Sequence, residues 1–110
     1  MIDWSHLAQL YQEVGSESFE EVVDLFFEEV SDVIARLESS TDTSDLAEDM
    51  HFLKGSALSL GFYKMSQLCH DGEKAAVQGD ADKVDLSAIF QSYAASRKEF
   101  VANYRLKLTA

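Results

Sequence analysis

Proline is absent from the 110-residue chain. Without it no position forces a helix to break, so long helices are permitted throughout. Cys69 is the one cysteine, which excludes an internal disulfide. Positive charge is scarce: nine Lys and Arg stand against 20 Asp and Glu, a formal net charge of −11. That balance disfavours nucleic acid, whose phosphates reward basic patches, and anionic membrane surfaces for the same reason. Its plain meaning is solubility. No apolar run approaches the length of a membrane span. The opening MIDWSH lacks the basic and apolar blocks of a signal peptide. Nothing reads as low complexity or as an internal repeat. The expectation is a soluble, cytoplasmic protein.

What is present is an ordinary globular composition, 46% hydrophobic, in a chain sized for one domain over residues 1–110. Leu7, Leu10, Tyr11 and Val14 lie at helical spacing, with Asp3 or Ser5 as cap and Gly15 as stop, and define a short first helix. Ser16 or Ser18 caps a longer one, with Glu20 and Glu21 in its first turn. Its stripe is Phe19, Val22, Val23, Phe26, Val30, Val33, Ile34 and Leu37, with Phe27 off the stripe. The polar stretch 39–45 supplies caps for a third helix with Leu46, Met50, Leu53, Ala57 and Leu60 inward, ended by Gly61. A fourth runs from about Tyr63 to Gly79, with Met65, Leu68, Cys69, Gly72 and Ala76 inward. Asp80 or Asp82 caps a fifth, whose stripe is Leu86, Ile89, Phe90, Tyr93, Arg97, Phe100, Val101 and Tyr104. No segment alternates with period two. Four long amphipathic helices with short connections predict an all-α, up-down-up-down four-helix bundle, with the short N-terminal helix lying across it.

The third helix carries the chemistry. On a wheel of about 100° per residue its five stripe residues cluster, and His51 points about 140° away from them. The histidine therefore faces solvent. Ala47, Gly55 and Leu58 lie within about 40° of it and Lys54 about 60° away. That outward face is unusually small or apolar, where Glu, Lys and Gln are the norm. Gly55 costs the helix about 1 kcal/mol relative to alanine. It makes sense where something must approach the imidazole closely. A neutral imidazole nitrogen is a nucleophile near pH 7, and the Lys54 ammonium can hold an anion beside it. Nucleophile, cation and clearance together describe a site that accepts phosphoryl.

The run His51–Phe52–Leu53–Lys54–Gly55–Ser56, followed by Leu60–Gly61, resembles the signature of histidine-containing phosphotransfer (HPt) domains of two-component phosphorelays. The resemblance covers nearly the whole chain, from the IDW opening through the Phe-rich second helix to the stretch between Leu68 and Asp80. It implies that His51 takes phosphoryl from a receiver-domain aspartate and passes it to another receiver. By motif match Lys54 is the charge partner and Gly55 the clearance residue. Glu73 matches the position where many members carry a Gln or Glu that hydrogen-bonds the histidine. The implied carrier has no ATP-dependent kinase activity, no cofactor and no metal of its own, the receiver supplying magnesium. The implied partners are response-regulator receiver domains and a hybrid histidine kinase, and the expected state is a monomer. Met1 and a full set of helices favour a free-standing protein.

Several features admit plainer readings. Gly55 alone is as often a packing glycine. Phe52 and Leu58 either dock a partner or pack on the first helix; Ala47 borders the same face, and Phe27 poses the same choice. Trp4 reads as an anchor for the first helix and Cys69 as core. His70 reads as merely exposed, and His6 has no supporting cluster. One alternative keeps the fold as a non-catalytic docking module. A second is a metal-binding bundle built on Glu48-x-x-His51, weakened because His70-x-x-Glu73 runs in reverse order and His51 faces outward. No Gly-x-Ser-x-Gly or P-loop motif supports a hydrolase or nucleotide site.

Overall fold

A computed structural model describes residues 2–109. Its elements are α1 (Trp4–Ser39), α2 (Leu46–Ser59), α3 (Tyr63–Val77), a 3₁₀ turn at Ala81–Lys83, and α4 (Leu86–Thr109). Among the described residues the only extended pairing is an isolated antiparallel bridge between Ile2 and Phe62. Consecutive helices pack on one another and α4 returns to α1, closing a four-sided bundle of 46 × 22 × 21 Å. The expected short first helix and long second helix are the two halves of α1. The backbone is helical on both sides of Gly15, which departs to φ 84°, ψ 161°. A positive φ of this kind suits glycine and few other residues.

In the second half of α1, Phe19, Val23, Phe27, Val30, Ile34 and Leu37 are buried. Phe27, expected off the stripe and available for docking, is therefore core, and Phe26 is half-buried instead. From Val23 and Val30, steps of three and four residues reach both positions equally well. The cluster around Phe27 decides: its ring meets Phe62, Tyr93 and Phe100 at centroid distances of 6.3, 6.4 and 5.6 Å.

All five residues expected inward on α2 are buried. The helix ends at Gly61 with φ 71°, and the Phe62 amide donates to the Ala57 carbonyl. The N-terminus is clamped onto this turn. The Asp3 amide donates to the Gly61 carbonyl at 2.8 Å, and a Cβ at residue 61 would stand 2.9 Å from the Asp3 carbonyl oxygen. His6 Nε2 donates to the Ser59 carbonyl, while the Trp4 ring lies 6.0 Å from that of Phe100. Asp3 caps α1 by accepting from the His6 amide.

Two caps differ from expectation. Asp45 stands at the N-cap of α2 but contributes its backbone carbonyl, to the Asp49 amide, rather than its side chain. Neither Asp80 nor Asp82 caps α4. The chain first makes the 3₁₀ turn, and Asp85 then accepts from the Ala88 amide at 2.9 Å. On α4 the inward ridge runs Ile89, Tyr93, Ser96, Phe100. Val101, expected inward, is one residue past that ridge and 60% exposed. Arg97 is exposed too, its guanidinium lying over the Phe27 ring at 4.7 Å.

Candidate functional site

The site is assembled by one close approach between α2 and α3. Gly72 of α3 lies against Met50 of α2, where a Cβ would meet Met50 Sδ at 3.0 Å and Val84 Cγ1 at 3.1 Å. Met50 and Gly72 are the residues just before His51 and Glu73. The helix contact allowed by the missing side chain thus brings the next residue on each helix into register.

The result is a three-residue array. His51 Nδ1 lies 2.9 Å from Glu73 Oε2, and Lys54 Nζ donates to Glu73 Oε1 at 2.6 Å. An ionised carboxylate only accepts, so the proton resides on Nδ1 and, in a neutral ring, the lone pair on Nε2. The His51 side chain is 71% exposed, whereas those of Lys54 and Glu73 are 22% exposed. One ring edge is held and the rest stands in solvent, above an open depression lined by Ala47, Glu48, His51 and Glu73. The Lys54 ammonium, and after it His51, hold the Glu73 carboxyl below the usual glutamate range, against an opposing push from burial. The negative charge at Glu73 is thereby compensated within the protein, which removes most of its repulsion toward an incoming anion.

Gly55 is exposed, and a Cβ there would meet nothing within 4 Å. No internal contact requires the glycine, which removes the packing explanation. Ala47 is half-buried and lines the depression beside His51, Phe52 and Leu58 are 38% and 55% exposed on the same helix, and Phe27 lies in the core. His70 is exposed and lines a shallow depression beside Glu73, and His6 is occupied with Ser59. Cys69 is buried and its thiol is pushed up to about 12, so it is unreactive at neutral pH. Among the described residues, no group of three or more His, Cys, Asp or Glu side chains is placed to hold a metal ion.

Sequence reasoning missed what steadies α2 from its other side. Asp49, nearly buried, takes both nitrogens of Arg36 at 2.6 and 3.1 Å. This fork joins the last turn of α1 to the helix bearing His51. The available signal was the spacing Leu46–Asp49–Leu53, which puts a carboxylate on the rim of an apolar stripe.

Fold and site together define a helical bundle that presents one oriented, reachable imidazole on a rigid helix, with a cation beside it. The Hpt domain family model matches residues 21–102, and the chain belongs to that family, whose members carry phosphoryl on histidine in two-component signalling and are not kinases. Comparison with curated proteins and with solved structures gives no match. No helix among the described residues is long and apolar enough to cross a membrane.

Proposed function

We propose that this protein relays phosphoryl between receiver-domain aspartates through His51 Nε2. The observation that carries the reading is the shared carboxylate. Glu73 fixes the imidazole by Nδ1 and holds the Lys54 ammonium on its other oxygen, leaving Nε2 outward. In the forward step the Nε2 lone pair attacks phosphorus of the aspartyl phosphate. An N–P bond forms, the acyl O–P bond breaks, and the receiver's carboxylate leaves. Nδ1 keeps its proton, so the phosphorylated ring is a cation, and Glu73 faces it with a negative charge. Attack by a second receiver's carboxylate reverses each change. No proton need be exchanged with solvent.

Such transfer depends on positioning and charge stabilisation more than on covalent chemistry by the protein. Lys54 has three N–H donors and gives one to Glu73, so its ammonium serves the phosphoryl oxygens from the position it already holds. Gly55 leaves room for the receiver, and Phe52, Leu58 and Ala47 supply apolar contact around the ring. The partners are receiver domains, free or attached to a hybrid kinase.

The test is direct. A phosphorylated receiver mixed with the protein should give a label that is acid-labile and base-stable, and that is lost in His51→Gln with helical content unchanged. A label retained in that variant refutes the assignment. A folded protein that binds the receiver yet never takes label supports a docking-only module instead.

A further inference from the structure

Charge is segregated in the fold to a degree that the net value hides. α4 holds Arg97, Lys98, Arg105 and Lys107 against the single acid Glu99, so it is formally +3, and the rest of the chain is −14 within the total of −11. The neighbouring half of α1, from Ser16 to Ser39, carries eight acids and one base. Four of those acids, Glu17, Glu20, Asp24 and Glu28, recur every three or four residues, form one exposed ridge, and flank α4. Between the ridges runs a groove of about 330 Å³, floored by aromatic rings and walled by Glu20 and Asp24 on one side and Arg97 and Arg105 on the other. Arg105 pairs across it with Glu20 at 3.9 Å. Asp24, Glu28 and Lys98 have no ion pair among the described residues, and Val101 is exposed at the rim beside Ala94 and Ala102.

We propose that this α1/α4 face is a self-complementary surface on which a second copy of the chain docks. A two-fold axis along the groove sets α1 of each copy over α4 of the other, and it preserves height along the bundle. Glu20 and Asp24 line the same cavity as Arg97 and Arg105, so they stand at the same height. The operation therefore lays an acidic ridge on a basic one twice over, with the groove on the axis and Val101 at its rim. A partner of one sign fits poorly. An acidic protein or an anionic membrane attracted by α4 meets four acids on α1, whereas a second copy presents both signs in exchanged order. Because α2 and α3 form the opposite side of the bundle, His51 remains open in the dimer. A dimer departs from the monomer expected from the sequence.

The contact is small and two strongly acidic chains repel at long range, so the dimer is best sought near 0.15 M salt. There charges beyond about 8 Å are screened and touching ridges are not. Sedimentation velocity should show the 12.3 kDa chain doubling in mass with concentration. Asp24→Lys with Glu28→Lys should be monomeric, as should Lys98→Glu, each helical by circular dichroism. Mixed, the two variants should form a heterodimer, since positions 24, 28 and 98 are then all basic in one and all acidic in the other. Lys98→Glu changes an exposed residue without an ion pair among the described residues and serves if the two-site variant misfolds. Labelling of His51 should be unaffected in all of them. Wild-type protein that stays a single chain up to roughly 1 mM overturns the proposal. So does an acid-ridge variant that dimerises as well as wild type, or a mixture of the two variants that remains monomeric.

Discussion

Replacing Glu73 by Gln separates two roles that the carboxylate combines. The amide oxygen still accepts from His51 Nδ1 and keeps the ring oriented, but the charge that pairs with Lys54 and faces a cationic phospho-imidazole is gone. Glu73→Gln should therefore label, at a reduced rate. Glu73→Ala, which frees the ring as well, should be slower by roughly tenfold or more, the usual scale for losing a group that orients a reactive histidine. Lys54→Ala should slow transfer on the order of 10²-fold without abolishing it, as when one stabiliser of developing charge is removed. Rapid-quench labelling from a phosphorylated receiver reads all three. The pH dependence follows from the lowered carboxyl of Glu73. A carboxyl depressed in the folded state stabilises at pH above its unfolded value, and the contribution fades as pH falls through the folded one. The Lys54–Glu73 bridge should thus persist through the usual glutamate range and open only below it, as followed by the Glu73 side-chain carbon signal in an acid titration. At this scale the sequence was legible where a face could be computed: His51 outward, Lys54 beside it. The wheel of a single helix could not say that Lys54 would already be paired, because Glu73 arrives from another helix.

At the scale of the element, two glycines on adjacent helices should respond in opposite ways. Gly72 sits where α3 touches Met50 and Val84, so Gly72→Val forces the helices apart. Overpacking of this kind costs about 1–3 kcal/mol, and here it also pulls Glu73 from His51 and Lys54. Thermal stability and labelling rate should fall together. Gly55 has open space at its Cβ position, so Gly55→Ala should raise helix stability, by up to about 1 kcal/mol. Bulkier residues there should leave the fold intact and slow only the step that needs a partner, a loss visible in receiver titrations but not in melting curves. Periodicity anticipated all five apolar residues buried along α2, but not Asp49 and Ser56, which are buried beside them. It misplaced Phe27 and Val101, where two adjacent apolar residues compete for one inward position and only contacts from other helices decide. It also placed the α4 cap too early, since a 3₁₀ turn consumes residues that no apolar period marks.

At the scale of the whole molecule, the aromatic cluster ties chain segments that are far apart in sequence. The Phe100 ring lies within 6.4 Å, centroid to centroid, of Trp4, Phe19, Phe27, Phe62 and Tyr104. Through that one ring α4 holds both halves of α1 and the turn between α2 and α3, which is also where Asp3 and His6 clamp the N-terminus. Truncating a buried phenylalanine to alanine costs about 3–5 kcal/mol. A domain of this length has only about 5–15 kcal/mol of total stability. Phe100→Ala should therefore consume a large part of the margin, lowering the urea midpoint steeply with little change in slope if unfolding stays cooperative. His51, exposed on α2 while the Phe100 ring is buried, should keep its chemistry in every molecule that remains folded. Labelling per mole of protein should then track the folded fraction as urea is raised, and labelling corrected for that fraction should match wild type. A corrected rate far below wild type would mean that the cluster does more than hold the bundle together and that α2 cannot keep Glu73 and His51 in register without it.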